Sequence, residues 1–154
     1  MENNRLLVLS KDAFRPLRNL IFLNLSGNKL YWISPDGIPQ DLENVFYNIS
    51  LVFWSTPVLS KLYLNLTAIE YLTSDHFANI EKSLTELSLA DTNFHRSPLS
   101  ALKKCSQLQN LNLTRFRSKT EWVLPEFRKL GKLDLTDTKM GNFSSLASQE
   151  MSDI

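Results

Sequence analysis

The chain has 154 residues, the size of one ordinary domain, and its 43% hydrophobic and 10% aromatic content excludes a disordered composition. Lys+Arg at 17 against Asp+Glu at 16 leave a net charge of +1, so no overall field draws nucleic acid or an acidic membrane. One cysteine excludes an internal disulfide, a zinc site built on several Cys and a CxxC redox pair, and no run approaches 18 apolar residues, so no helical membrane span is expected.

The N-terminus, Met1-Glu2-Asn3-Asn4-Arg5, leads into four apolar residues from Leu6 to Leu9, too few for the hydrophobic region of a signal peptide. Leucine is the anomaly: 28 of 154 residues, about 18%, points to a repeated apolar position or a coiled coil. Leu20-Ile21-Phe22-Leu23-Asn24-Leu25-Ser26-Gly27-Asn28-Lys29-Leu30 reads LxxLxLxxNxL. A strand near 22–26 follows, because the LxL alternation puts both leucines on one face. Pro35, Gly37 and Pro39 mark a loop, and Tyr47, Ile49, Leu51 and Phe53 alternate as a less regular strand near 47–53.

The frame returns at Leu59, Leu62 and Leu64, with Thr67 in the Asn slot and Ile69 closing, and predicts a strand at 61–65. It returns at Leu84, Leu87, Leu89, Thr92 and Phe94, for a strand at 86–90. Leu108, Leu111 and Leu113 follow with Phe116 in the slot, then Leu130, Leu133, Leu135, Thr138 and Met140, for strands at 110–114 and 132–136. The ten LxL leucines are expected to be buried. The steps from Leu59 are 25, 24 and 22 residues, whereas Leu20 to Leu59 takes 39 and reads as a repeat plus a degenerate one over 33–58. Sustained heptads lack these short alternations, which excludes a coiled coil. Phe116 cannot make the hydrogen bonds of an Asn, so a rearrangement is expected around 114–120.

These five matches resemble the leucine-rich repeat family over nearly the whole chain. The resemblance implies an α/β solenoid, a horseshoe with a parallel sheet on the concave face and irregular or short helical segments on the convex side. One repeat cannot bury its leucines alone, and stacking pools them into a continuous core. Asn4-Arg5-Leu6 through Leu17 is similar to the back half of one more repeat, with Phe14 and Leu17 in the convex layer. Residues 1–154 then form one array of about six to seven repeats, partial and degenerate ones included, which reads as a piece of a longer array.

In this family the residues flanking the strand leucines form the concave partner-binding face. Here they are Phe22, Asn24 and Ser26; Lys61, Tyr63 and Asn65; Glu86, Ser88 and Ala90; Asn110, Asn112 and Thr114; Lys132, Asp134 and Thr136. The face is polar with two aromatics, which suits a protein ligand or co-receptor, and it offers no deep pocket for a small molecule. The spelling AFxxLxxLxxLxLxxNxL from Ala13 to Leu30 is similar to repeats of extracellular receptors such as the Toll-like ectodomains. A non-catalytic recognition module at the cell surface is therefore expected, without a cofactor. The alternative is an intracellular adaptor or inhibitor, since Cys105-Ser106-Gln107-Leu108 through Leu113 resembles the CxxLxxLxL spelling of cytosolic repeats. A third class, an assembly protein, would self-associate through uncapped ends that present Leu6, Leu7 and Leu9 on one side and Met140, Phe143 and Leu146 on the other.

Other residues carry less. His76 and His95 have no pattern of metal ligands or triad partners and read as surface-loop residues. Cys105 reads as a small buried hydrophobe, with a reactive thiol beside Lys103 and Lys104 as the alternative. The run Arg115-Phe116-Arg117-Ser118-Lys119 reads as a solvated turn. N-x-S/T sequons occur at Asn24, Asn48, Asn65, Asn112 and Asn142. Those at Asn24, Asn65 and Asn112 fall within or just after the LxL spelling, so Asn48 and Asn142 are the better signs of a secreted history, with unused cytosolic sequons as the alternative.

Overall fold

The computed structural model describes residues 1–7, 9, 13–32, 56–70, 72–120, 122 and 124–138. The expected strand near 47–53, the loop at Pro35, Gly37 and Pro39, the sequons at Asn48 and Asn142, and the trio Met140, Phe143 and Leu146 lie outside them. Among the described residues the elements are β1 (Phe22–Asn24), β2 (Tyr31–Trp32), β3 (Lys61–Tyr63), β4 (Ala68–Ile69), α1 (Ser74–Phe77), β5 (Glu86–Ser88), β6 (Asn93–Phe94), a 3-10 helix (Leu99–Lys104), β7 (Asn110–Asn112), β8 (Arg117–Ser118) and β9 (Lys132–Asp134). The class is α/β.

The five three-residue strands form one parallel sheet in the order β1-β3-β5-β7-β9. Leucine stacks on leucine through the register, Leu23 on Leu62, Leu87, Leu111 and Leu133. β1 pairs directly with β3, so the 39-residue step places its two strands side by side. A parallel neighbour requires a crossover, and α1 and the 3-10 helix lie in two of these crossovers. No helix among the described residues is long and apolar enough to cross a membrane.

Just before each of β1, β3, β5 and β7, one carbonyl accepts two backbone N–H groups from the next strand of the sheet. Ile21 O takes Ser60 N and Lys61 N, Ser60 O takes Thr85 N and Glu86 N, Thr85 O takes Gln109 N and Asn110 N, and Gln109 O takes Gly131 N and Lys132 N, all at 2.8–3.0 Å. The expected strands ran two residues further than those observed. Interstrand bonds do continue there, from Leu25 N to Tyr63 O, Leu64 N to Ser88 O, Leu89 N to Asn112 O and Leu113 N to Asp134 O. The extended backbone then ends at a left-handed residue: Gly27 (φ 67), Leu66 (φ 52), Asp91 (φ 56), Arg115 (φ 50) or Asp137 (φ 53). A Cβ at Gly27 would meet the end of the Asn3 side chain, which would have to move aside. Asn3 itself has φ 53, and its N–H bonds Ser26 O at 2.8 Å as Gly27 N bonds Asn65 O. Asn4 and Leu6 thus stand relative to Asn3 as Asn28 and Leu30 stand relative to Gly27.

The slot after that turn satisfies the carbonyl of the second leucine. Asn28 Nδ2 donates to Leu25 O at 2.7 Å and to Met1 O at 2.8 Å, while its Oδ1 accepts Leu6 N. Thr67 Oγ1 donates to Leu64 O at 2.8 Å, and Thr92 Oγ1 to Leu89 O. The rearrangement expected at Phe116 does not occur. Arg115 keeps the left-handed turn, Phe116 N donates to Leu113 O at 2.9 Å, and Thr138 Oγ1 reaches back from the turn after β9 to the same carbonyl at 2.5 Å. The Phe116 ring fills the interior instead, tilted against Phe94 (5.6 Å) and edge-on to Trp122 (5.7 Å).

Leu23, Leu25, Leu62, Leu64, Leu87, Leu89, Leu111 and Leu113 are buried, with Phe14, Phe77, Ile80 and Leu102 closing the core behind them. Two expectations fail. Leu133 is 36% exposed and Leu135 only half-buried: β9 has β7 on one side alone, and no described segment covers its other side as residues 1–6 cover the other edge at β1. Leu17, expected beside Phe14, is 48% exposed. Its N–H closes a tight turn onto Phe14 O, which carries Phe14 inward and leaves Leu17 outside.

Candidate functional site: the outer face of the sheet

A two-residue side-chain period leaves the first and third residue of every strand on the face opposite the leucines. Register aligns them in two rows, Phe22-Lys61-Glu86-Asn110-Lys132 and Asn24-Tyr63-Ser88-Asn112-Asp134. Phe22, Lys61, Lys132 and Thr136 are exposed, while Asn24, Tyr63, Asn65, Glu86, Asn110, Asn112, Thr114 and Asp134 are half-buried. Ser26, Ser88 and Ala90 are buried, contrary to the expectation of an open contact surface. Ser26 is held inside because its Oγ accepts Asn65 N and its carbonyl accepts Asn3 N, so it joins turns. Ser88 is small and sits between larger neighbours, Tyr63 and Asn112.

The Phe22 and Tyr63 rings meet edge to face at 5.1 Å at one side of this surface. Tyr63 donates its hydroxyl to Glu86, which also pairs with Lys61 Nζ at 3.1 Å. Donation to Glu86, burial and the carboxylate's charge push the Tyr63 phenol up to about 12. The same bond, with Lys61 and a smaller pull from Asn110, holds Glu86 below the usual carboxylate range against the opposing effect of burial. Asp134 is also held low, first by Thr136 N at 3.0 Å, then by the Thr136 and Thr114 hydroxyls and Lys132.

Several flanking residues have structural partners that the alternation of the sequence does not announce. Asn24 Oδ1 accepts Ser26 N and its Nδ2 donates to Glu2 Oε2, both at 3.0 Å. Asn112 Oδ1 accepts Thr114 N at 2.9 Å, and Asn65 Oδ1 accepts Ala90 N at 3.0 Å. Tyr63, Asn65, Glu86, Ser88, Asn110, Asn112, Lys132 and Asp134 surround a hollow of about 220 Å³ floored by Leu87 and Leu111. That is below the roughly 300–1,000 Å³ of drug-sized sites.

The remaining singled-out residues lie elsewhere. His76 is not in a surface loop: it belongs to α1 and is half-buried, and its Nδ1 accepts Thr73 N at 2.9 Å as part of a capping box. Burial lowers it to about 4, against smaller opposing pulls from Thr73 and Asp75. His95 stands between Glu70, whose Oε2 lies 2.8 Å from Nδ1, and Lys119, whose Nζ lies 2.9 Å from Nε2. The Cys105 thiol is buried, and burial followed by the charge of Glu81 pushes it up to about 12, so it is no thiolate at neutral pH. In the basic run Arg115 grips Asp91 with two nitrogens, Nη2 to Oδ2 at 2.8 Å. No group of three or more potential metal ligands occurs among the described residues. No family model and no curated protein sequence matches the chain.

Proposed function

We propose that the chain is an array of leucine-rich repeats, a solenoid whose concave side is the outer face of the sheet. On this reading it is a non-catalytic protein-recognition module, part of an extracellular receptor of the innate-immune, Toll-like kind. The observation that carries the reading is the outer face itself. An aromatic pair, exposed Phe22 and half-buried Tyr63, adjoins a band of charged and amide side chains on a parallel sheet. Aromatic anchors beside satisfied polar groups are what a protein partner binds most strongly. The extracellular placement rests on the sequons at Asn48 and Asn142 and on the receptor-like spelling of residues 13–30.

The test is a peptide-display selection on the full chain. Each enriched binder is re-measured on Phe22→Ala and Lys61→Glu, which change the outer face, and on Lys103→Glu, which changes the helical side. Loss of binding with the first two supports the reading. Binders that lose affinity only with Lys103→Glu, or no binders at all, sink it. A second reading, an intracellular adaptor, is favoured by Cys105, free and buried within its CxxLxxLxL spelling. Mass spectrometry of the chain delivered to a eukaryotic secretory pathway decides between them: glycan at Asn48 or Asn142 supports the receptor, and five bare sequons support the adaptor.

A further inference from the structure

Each strand of the sheet is entered through a turn of two residues: Arg18-Asn19, Pro57-Val58, Lys82-Ser83, Ser106-Gln107 and Arg128-Lys129. Every turn ends three residues before the row Phe22-Lys61-Glu86-Asn110-Lys132, so the register sets the five side by side along the edge where the outer face begins. Ser83 Oγ reaches back to Leu59 O at 2.8 Å, and Lys129 Nζ to Gln107 Oε1 at 2.6 Å. Four of these ten residues are cations and none is a carboxylate, although the whole chain has a net charge of only +1. Just before the turns, Arg15, Lys103 and Lys104 outnumber Glu81 and Glu126. Arg18, Lys82 and Arg128 make no ion pair among the described residues, so the fold does not account for them.

The same edge is apolar at one end. Leu17, Ile21 and Val58 are 48%, 60% and 46% exposed around its first two turns, beside the exposed Phe22 of the outer face. The three later turns expose no large apolar side chain among the described residues. Cationic turns two strands apart stand about 10 Å from one another, near the screening length of physiological salt, so one anionic occupant feels them together. A glycan or nucleic acid carries charge along its whole length and would leave the apolar end wet. A lipid surface would need apolar side chains among the later cations in order to be entered. A polypeptide can match both ends. We infer that this edge docks an extended acidic segment of a protein partner, apolar where it crosses Ile21 and Val58 and bearing carboxylates where it crosses Lys82, Arg128 and Lys129. Five strands span about 19 Å, the length of about six extended residues. The inference rests on the protein-recognition reading above and carries the partner's footprint from Phe22 and Lys61 past the outer face.

The probe is a synthetic peptide of two leucines, a glycine and four glutamates, titrated into the full chain at about 0.15 M salt while amide chemical shifts are followed. Shifts are expected at residues 17–22, 57–61, 82–86 and 128–132. Affinity should fall about tenfold when serines replace the leucines, and about tenfold when Lys82→Gln and Arg128→Gln are combined. That double variant should melt no lower than the parent, because neither side chain has an ionic partner among the described residues. A lower melting temperature overturns the inference. So does tighter binding of a charge-matched heparin tetrasaccharide or oligonucleotide, or cosedimentation with phosphatidylserine vesicles that the double variant abolishes. Should the displayed binders depend on Phe22 and Lys61 while the peptide leaves these turns unmoved, this inference falls and the recognition reading stands. Binders that depend on Lys103 alone defeat both.

Discussion

Thr92 and Thr138 each lie three residues after a strand's second leucine, Leu89 and Leu135, and differ in what depends on them. Leu89 O is buried with the Thr92 hydroxyl as its donor, whereas Leu113 O receives both Thr138 Oγ1 and Phe116 N. Thr92→Val therefore strands a carbonyl and should cost about 1–3 kcal/mol in urea unfolding, while Thr138→Val should cost about 0.5–1 kcal/mol. Equal losses would mean that the Phe116 N–H is no backup for the Thr138 hydroxyl at Leu113 O. His76 gives a pH signature. Its folded value near 4 lies below the ordinary 6.5, so between these the unfolded chain binds a proton that the folded chain does not. Stability should fall as pH drops from about 6.5 and level off below about 4. His76→Gln, whose side-chain oxygen still accepts from Thr73, should flatten that slope when urea midpoints at pH 7 and pH 4.5 are compared.

At the scale of the element, position in the sheet decides what a leucine is worth. Leu111 on β7 is flanked by β5 and β9, while Leu133 on β9 faces β7 alone. Leu111→Ala should cost about 2–5 kcal/mol, and Leu133→Ala, already one-third exposed, under about 1 kcal/mol. Denaturation curves giving the two variants the same loss would show β9 to be covered in solution. The start of each strand, the inward row of leucines and the Asn-slot bonds of Asn28, Thr67 and Thr92 were legible in the sequence, because a two-residue apolar period and a hydrogen-bonding side chain at fixed offset are local signals. What was not legible depends on neighbours. Nothing local marks Ser26 and Ser88 as buried, since that follows from the Asn65 backbone above one and the bulk of Tyr63 and Asn112 beside the other. Nor does the Phe116 slot announce that Thr138, 22 residues on, supplies the missing donor. Of the candidate site, membership of the face could be read from alternation. The structural partners of its amides could not, because they depend on which backbone N–H each amide oxygen finds.

At the scale of the whole molecule, the strand-to-strand handover of paired N–H groups from Ile21 through Ser60, Thr85 and Gln109 makes one portion of the chain an interchangeable part. Excising residues 86–109 would join Thr85 to Asn110, whose N–H then meets Ser60 O as Glu86 does now, while Gly131 and Lys132 find Thr85 O in place of Gln109 O. The cut also brings Lys119 to the place of His95, opposite Glu70, so an ion pair replaces the present imidazole contact. The shortened chain should fold cooperatively with β3 beside β7, melt lower for the lost stacking, and unfold earlier still when Glu70→Gln is added, as calorimetry can measure. An aggregated or unfolded product would mean that the register is held by contacts particular to residues 86–109. A chain that tolerates the cut could lengthen or shorten by duplication and deletion, varying the breadth of its outer face in steps of one strand without redesigning its interior.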